Sequence, residues 1–146
     1  MIGYLDTSAF VPLVVAEPTS GLCGRFWDDA DSVVSCRLTY PETAAALAQA
    51  QRMGRLTEPG LDASLRLVAE LWREIEVVEV DQVLVERAAI LARRFQLRGY
   101  DAVHCASAEQ IDDNDVVAAA GDGKLISAWR ELGLMTFDPN AQPDQD

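Results

Sequence analysis

Short apolar segments that alternate with helical segments constrain the fold of this 146-residue chain more than any other feature. Apolar residues on both faces of a strand are typical of a parallel sheet that helices cover on each side. The segments between the strands are rich in alanine or carry apolar residues at helical spacing. The pattern therefore predicts an α/β fold of three layers, α/β/α, with a mainly parallel sheet of about five strands. The predicted strands are residues 2–5, 32–35, 76–80, 115–121 and 134–137.

The predicted helices are residues 7–15, 18–27, 39–53, 61–75, 82–96, 101–111 and 124–132. In helix 82–96 we expect the inward side chains to be Val83, Ala89, Ile90 and Phe95. All these elements fit one domain, residues 1–137. The last nine residues, DPNAQPDQD, are polar, carry two prolines and are predicted to form a disordered tail, 138–146.

The chain is strongly acidic, with 24 acidic and 12 basic residues and a formal net charge of −12. A protein that coats nucleic acid is usually basic, because its affinity comes from neutralising phosphates. The charge therefore argues against a general nucleic-acid binder. It leaves room for action on nucleic acid if a metal masks some of the acids or if a basic partner binds them.

The cysteines and the chain's hydropathy indicate a cytoplasmic protein. Cys23, Cys36 and Cys105 are odd in number and widely spaced, which argues against a disulfide framework or a structural zinc site. The N-terminal residues lack the basic start of a signal peptide, and no apolar run approaches the roughly 20 residues of a membrane-spanning helix.

Four acidic residues stand where a site would form in such a sheet, since ligands bind beyond the carboxyl ends of parallel strands. Asp6 directly follows strand 2–5, and Asp122 directly follows strand 115–121. Glu42 lies in the first turn of helix 39–53, just after strand 32–35. Asp101 lies at the start of its helix. The four carboxylates can therefore converge on one edge.

Each acid also has a purely structural interpretation. Asp6 and Asp101 are suitable helix N-caps. Glu42 follows Thr39 at the spacing of a capping box, in which it would bond the Thr39 backbone N–H. Asp122 precedes a glycine, as in many turns. The residues alone leave both interpretations open.

If these acids converge, either some of them are protonated or a cation binds, because ionised carboxylates a few ångströms apart repel one another. Mg²⁺ and Mn²⁺ prefer carboxylate oxygens, and Mg²⁺ typically bridges to substrate phosphate. With such an ion bound, the chain would be a metal-dependent phosphodiesterase. His104 is expected to pack within its helix or face solvent, because no second histidine or cysteine pair supports a ligand set.

Four segments of the chain resemble the PIN-domain family, and within it the VapC-type toxins of toxin–antitoxin modules. They are YLDTSAFVPLVVAEP, TYPETAAALAQA, AGDGKL and the long segment from EVVEV to GYDAVHCASA, in order over about residues 1–137. The resemblance implies an endoribonuclease that hydrolyses RNA with Mg²⁺ or Mn²⁺. It implies that the catalytic and metal-holding acids are Asp6, Glu42, Asp101 and Asp122. Thr7 and Ser8 carry the hydroxyl beside the first acid and are expected to take part in substrate binding.

The resemblance also implies partners. VapC-type toxins usually dimerise, often recognise tRNA or rRNA, and are inhibited by a cognate antitoxin whose basic segment enters the acidic site. A net charge of −12 suits such an inhibitor. Arginine forks match phosphate geometry, so Arg94, Arg98 and Lys124 are candidate RNA-binding residues, although a solvated helix face explains them equally well.

One position departs from the family pattern, and two alternative functions remain open. Ala120 stands where the family often has Thr or Ser, two residues before the fourth acid. This favours the alternative of a degenerate, non-catalytic PIN-like domain that only binds a partner. A phosphohydrolase with Asp6 as nucleophile is a further alternative, but it would need a second aspartate where this chain has Ser8.

Overall fold

The computed structural model describes residues 1–141, and in them a five-stranded, wholly parallel sheet has the order β3-β2-β1-β4-β5. This confirms the predicted fold class. The strands are β1 (Ile2–Leu5), β2 (Ser32–Cys36), β3 (Ile75–Val78), β4 (Val116–Ala119) and β5 (Met135–Phe137). The helices are α1 (Thr7–Phe10), α2 (Ser20–Asp29), α3 (Thr39–Arg52), α4 (Glu58–Trp72), α5 (Gln82–Phe95), α6 (Gly99–Glu109) and α7 (Gly123–Glu131).

Two hydrophobic cores cover the two faces of the sheet. Tyr4 and Leu5 are neighbours in β1 and therefore point to opposite faces. Tyr4 packs in a core with Leu91 of α5 and Trp129 of α7. Leu5 packs in the other core with Phe10 of α1 and Val68 of α4. The sheet is consequently the middle layer of three.

The central strands bring the predicted site together. Leu5 of β1 pairs with Ala119 of β4, so the residues after these two strands leave the sheet side by side. The Asp6 backbone N–H donates to the Ala119 carbonyl at 3.1 Å, which continues the pairing by one residue. This edge is the carboxyl end of the sheet, where the sequence predicted a site.

The bounds of several predicted helices differ from those observed, and two of these differences have a clear cause. Helix 7–15 is an α-helix only over Thr7–Phe10 and continues as a 3-10 turn over Val11–Leu13, where Pro12 lacks the N–H that an α-helix needs. The helix predicted at 61–75 is α4, which starts three residues earlier because Thr57 caps it through the Gly60 N–H. It ends at Trp72, before Ile75 enters β3.

The prediction of which face of α5 points inward was wrong for most of its residues. Val83 and Ile90 are 76% and 58% exposed, and Ala89 is also exposed. The buried face carries Leu84, Ala88 and Leu91, although Phe95 does pack against the core as expected. The helix has two apolar stripes at the same spacing, and only one of them meets the sheet.

Asn140, which lies past the last strand, makes two hydrogen bonds. The Asn140 N–H donates to the Asp138 carboxylate at 2.8 Å, and the Asn140 side chain donates to the Gly121 carbonyl at 3.3 Å. Residues 142–146 of the predicted tail lie outside the described residues, so the domain boundary at residue 137 stays a prediction. Within 1–141, none of the helices combines the length and the apolar character that crossing a bilayer requires.

Candidate active site

One open cleft of about 400 Å³ at the carboxyl edge of the sheet gathers all four predicted acids. Asp6, Glu42, Asp101 and Asp122 line it, from four separate segments of the chain. Three other predicted residues line the same cleft: Thr7, Ser8 and Arg98. The arrangement that the sequence predicted is thus present, and the contacts of each acid show what it can do.

Asp6 is the most deeply buried of the acids, with 4% of its surface exposed. Its carboxylate caps α1, accepting from the Ala9 N–H at 2.9 Å, and the Ser8 hydroxyl lies 2.7 and 2.9 Å from its two oxygens. Burial raises the pKa of Asp6 to about 6, even though the charge of His104 and the bonds from Ser8 and Ala9 act in the opposite direction. The N-cap interpretation is therefore right, but it does not exclude a role in the cleft.

Asp101 lies close enough to Asp122 for the charge of Asp122 to affect its pKa. Burial raises the pKa of Asp101, and the negative charge of Asp122 raises it further. The N-cap interpretation of Asp101 was wrong, since Arg98 occupies that position and Asp101 lies in the first turn of α6. Asp122 does cap its helix, α7, by accepting from the Lys124 N–H at 2.9 Å. Both carboxylates still line the cleft.

Glu42 does not form the predicted capping box. Its Oε1 accepts from the Thr7 hydroxyl at 3.0 Å and lies 2.9 Å from Nε2 of His104. Burial acts to raise the pKa of Glu42, but the hydrogen bonds and charge of His104 and the bond from Thr7 outweigh it and lower the pKa. Glu42 is therefore held in its ionised form within the cleft.

The expectation that His104 merely packs in its helix or faces solvent was incomplete. His104 is 1% exposed and lines the acidic cleft from α6. Burial acts to lower its pKa, but hydrogen bonds with Cys36 and Glu42 outweigh burial and raise it. No sequence signal near His104 predicted this, because its partners Glu42 and Tyr4 lie 62 and 100 residues away.

Ser8 connects the two loops that carry Asp6 and Asp122. Its hydroxyl oxygen accepts from the Gly121 N–H at 2.7 Å while it donates to Asp6. Ala120 is fully buried and supplies no hydroxyl there. The loop after β4 is thus fixed to the first acid by a serine from the other loop.

The predicted RNA-binding residues divide between two clefts. Arg98 lines the acidic cleft, with its guanidinium 5.0 Å from the centre of the Tyr100 ring and its Nε 3.4 Å from Asp101. Arg94 and Lys124 line a neighbouring cleft of about 410 Å³ between the end of α5 and the start of α7. Asp122 lines the acidic cleft, and the next two residues, Gly123 and Lys124, line the second cleft, so the two clefts adjoin at this point of the chain.

Sequence reasoning missed two further polar residues that line the acidic cleft, Glu17 and Tyr100. Tyr100 directly precedes Asp101, so its position next to a predicted ligand was the available signal. Glu17 follows the 3-10 turn and stands at no strand end, so nothing in its spacing indicated the site.

The donor chemistry of the cleft fits a hydrated Mg²⁺ or Mn²⁺ ion. Its acids offer carboxylate oxygen, the ligand these ions prefer, and the raised pKa of Asp6 shows that its buried charge lacks sufficient compensation from the protein. Within residues 1–141, no group of three or more His, Cys, Asp or Glu side chains is arranged to hold a metal ion. Mg²⁺ usually keeps several waters and binds one or two carboxylates together with substrate phosphate.

Comparison with known proteins gives a consistent result. Residues 3–128 match the PIN domain family. The chain is 43% identical over 140 residues to Ribonuclease VapC45 of Mycobacterium tuberculosis, which covers 96% of this chain and 97% of that protein.

Two solved structures share the fold at low sequence identity. VapC20 of Mycobacterium tuberculosis, described as a sarcin-ricin loop cleaving toxin, matches with a TM-score of 0.66 and 21% identity over 86% of this chain and 94% of that one. A toxin–antitoxin complex from Klebsiella pneumoniae matches with a TM-score of 0.65 and 13% identity over 94% of this chain and 97% of that one.

Proposed function

The chain belongs to the PIN-domain family and to its VapC ribonucleases, and we propose from this premise that it is a Mg²⁺- or Mn²⁺-dependent endoribonuclease. One observation carries the proposal: four carboxylates from four segments line one cleft. The most buried of them, Asp6, keeps a raised pKa because its hydrogen bonds and the charge of His104 offset only part of the effect of burial. An ion would offset the repulsion among these acids and make the cleft suitable for an anionic phosphodiester.

The proposal assigns different roles to the acids and to the hydroxyl side chains beside them. Asp6, Glu42, Asp101 and Asp122 would hold the ion, directly or through its waters. When bound, the ion supplies Lewis-acid polarisation of the phosphate and lowers the pKa of a water. Thr7 and Ser8 already bond to Glu42 and Asp6, so they support the acids rather than contact RNA.

The basic residues bind the RNA backbone in this proposal. The Arg98 guanidinium lies in the acidic cleft itself, where its fork can bind the phosphate that is cleaved. Arg94 and Lys124 line the adjoining cleft, at the place where a flanking phosphate would lie. In this proposal the substrate is RNA, as the name of the related Ribonuclease VapC45 suggests, with tRNA or rRNA as the expected class.

We further propose that the protein is the toxin of a toxin–antitoxin pair. The Klebsiella structure is a toxin–antitoxin complex of the same fold, and the net charge of −12 favours a basic inhibitory segment at the acidic cleft. A homodimer is also expected, and the exposed Val83 and Ile90 on α5 offer apolar surface for it. Location in the cytoplasm remains a prediction.

The test is cleavage of structured RNA by the purified protein, freed of any antitoxin. Mg²⁺ or Mn²⁺ should support cleavage and EDTA should stop it. Asp6→Asn and Asp101→Asn should each reduce cleavage by at least 100-fold, roughly the 3 kcal/mol of a lost charge-stabilising group. Circular dichroism should show that both variants remain folded.

A matched control is Asp62→Asn, which makes the same change at an exposed position on α4, outside the cleft. It should cleave like the wild type. Near-normal cleavage by Asp6→Asn or Asp101→Asn would overturn the assignment of the site. A wild-type protein that binds Mn²⁺ but cleaves no RNA would favour the non-catalytic alternative, which the missing hydroxyl at Ala120 supports.

A further inference from the structure

His104 makes a part-buried contact with one acid of the cleft, and the proposed mechanism gives it no role. Its Nε2 lies 2.9 Å from Oε1 of Glu42 and its Nδ1 lies 2.8 Å from the Tyr4 hydroxyl. Tyr4 is fully buried beneath the cleft in the core that also holds Trp129. A rigid core residue is therefore joined to a cleft carboxylate through one imidazole ring.

The direction of the bond to Glu42 is fixed whatever the charge of the ring. An ionised carboxylate only accepts hydrogen bonds, so Nε2 must carry the proton that points to Glu42. In the neutral ring, Nδ1 accepts from the Tyr4 hydroxyl. In the charged ring, Nδ1 donates to the Tyr4 oxygen. Tyr4 therefore accommodates both states, and Nε2 donates to Glu42 in each.

Both bonds to Glu42 converge on the same oxygen. The Thr7 hydroxyl and the His104 ring both bond Oε1, and Oε2 has no hydrogen-bond partner among residues 1–141. A glutamate has three rotatable side-chain bonds, and these two contacts restrict them before any ion arrives. One oxygen is held by the protein and the other is left for a ligand.

We propose that His104 is a positioning residue that fixes the Glu42 carboxylate through the chain Tyr4–His104–Glu42 and so presents Oε2 to the metal or its water. The inference rests on the proposed function for the presence of an ion in the cleft. A donor behind a metal-binding carboxylate orients it, and removing such a partner typically weakens metal affinity about 10- to 100-fold.

The test measures Mn²⁺ affinity without RNA, by the electron paramagnetic resonance signal of free Mn²⁺. His104→Leu should raise the Kd for Mn²⁺ about 10- to 100-fold. His104→Gln keeps an N–H that can reach Oε1 and should recover most of the affinity. A core residue without a positioning role would not show this recovery.

A double-mutant cycle with Glu42→Gln separates positioning from a general loss of structure. If His104 acts through Glu42, His104→Leu should change the Kd little in the Glu42→Gln background. Equal weakening in both backgrounds, or unchanged affinity in folded His104→Leu, would overturn the proposal.

Tyr4→Phe covers the case in which His104→Leu fails to fold, because it keeps the core ring and removes only the hydroxyl behind Nδ1. It should weaken Mn²⁺ binding several-fold, and unchanged affinity in Tyr4→Phe would then overturn the proposal. A wild-type protein that binds no Mn²⁺ would instead overturn the metal site itself, and this inference with it.

Discussion

Asp6 has two roles in this structure, and they affect stability in opposite directions. As the N-cap of α1 it satisfies the Ala9 N–H, which favours folding. As a buried carboxylate it must lose its hydration, and burial raises its pKa to about 6. In the folded protein without metal, the ionisation of this acid at neutral pH therefore opposes folding.

The first prediction concerns the pH dependence of stability without metal. The pKa of Asp6 is raised from 3.8 to about 6, so the folded state binds more protons than the unfolded state between these values. The stability that Asp6 contributes is present below pH 4 and is lost as the pH rises through 6. Asp6→Asn keeps an oxygen for the cap and does not titrate. The free energy of unfolding of Asp6→Asn minus that of the wild type should therefore increase by up to roughly 3 kcal/mol between pH 4 and pH 7.

Urea denaturation in EDTA at several pH values measures this difference. Asp6→Ala, which removes the cap oxygen, is the control, and it should be less stable than Asp6→Asn at every pH. A difference between Asp6→Asn and the wild type that stays constant with pH would contradict the proposed burial of the charge.

The sequence predicted the positions of the four acids but not their contacts. Asp6 and Asp122 follow strands, and the rule that ligands bind at carboxyl ends of parallel strands placed them at one edge. The partners of Glu42 could not be predicted, because Thr7 and His104 reach it only after three segments have packed together. The capping box was a sound local alternative that tertiary contacts overrode.

At the scale of the elements, α2 packs closely on β1 at Gly3. A Cβ atom at Gly3 would lie 2.9 Å from Cε1 of Phe26 and 3.2 Å from Cβ of Ala30. These atoms belong to a ring in the core and to the residue that ends α2, so neither can move away freely. Glycine at this position sets the distance between the helix and the sheet.

The second prediction is that Gly3→Ala destabilises the fold through this contact. Overpacking of this kind costs about 1–3 kcal/mol in the free energy of unfolding. The control is Gly24→Ala, within α2, where a Cβ would have no neighbour within 4 Å. That change should instead stabilise the protein by up to about 1 kcal/mol, because alanine favours the helix. Urea denaturation of both variants measures the two effects, and a neutral Gly3→Ala would show that α2 can shift outward.

Element types were predictable from the sequence, whereas the choice between two faces was not. Strands and helices alternate as the apolar pattern indicated, and Pro12 explains the early end of α1. In α5 the stripes of Val83 with Ile90 and of Leu84 with Leu91 have the same spacing of seven residues. Only packing against the sheet determines that the second stripe is buried.

At the scale of the whole molecule, the net charge does not describe the second cleft, where two basic residues outnumber one acid, Glu131. The chain carries −12 overall, yet Arg94 and Lys124 line a cleft that adjoins the acidic one. The sequence gives the total charge but not its distribution, because these two residues lie on α5 and α7 and meet only in the fold. RNA binding in the proposed function depends on this local distribution.

The last prediction separates local from total charge. Lys124→Gln and Arg66→Gln each remove one positive charge, but Arg66 is exposed on α4, on the opposite face of the sheet and outside both clefts. If Lys124 binds an RNA phosphate, its loss should flatten the dependence of log Kd on log salt concentration by about 0.7 for single-stranded RNA. Arg66→Gln should leave that slope unchanged, because its charge is too far from the RNA to replace a counterion.

Fluorescence anisotropy with labelled RNA, between 50 and 200 mM salt (roughly the range over which counterion release is usually measured), gives the two slopes. The Asp6→Asn background prevents cleavage during the titration and is common to both variants. Equal flattening by Lys124→Gln and Arg66→Gln would mean that RNA responds to the net charge alone, and the second cleft would then have no part in binding. A change confined to Lys124→Gln would instead extend the RNA path from the acids at the end of β1 and β4 to the start of α7, because Lys124 lies two residues beyond Asp122.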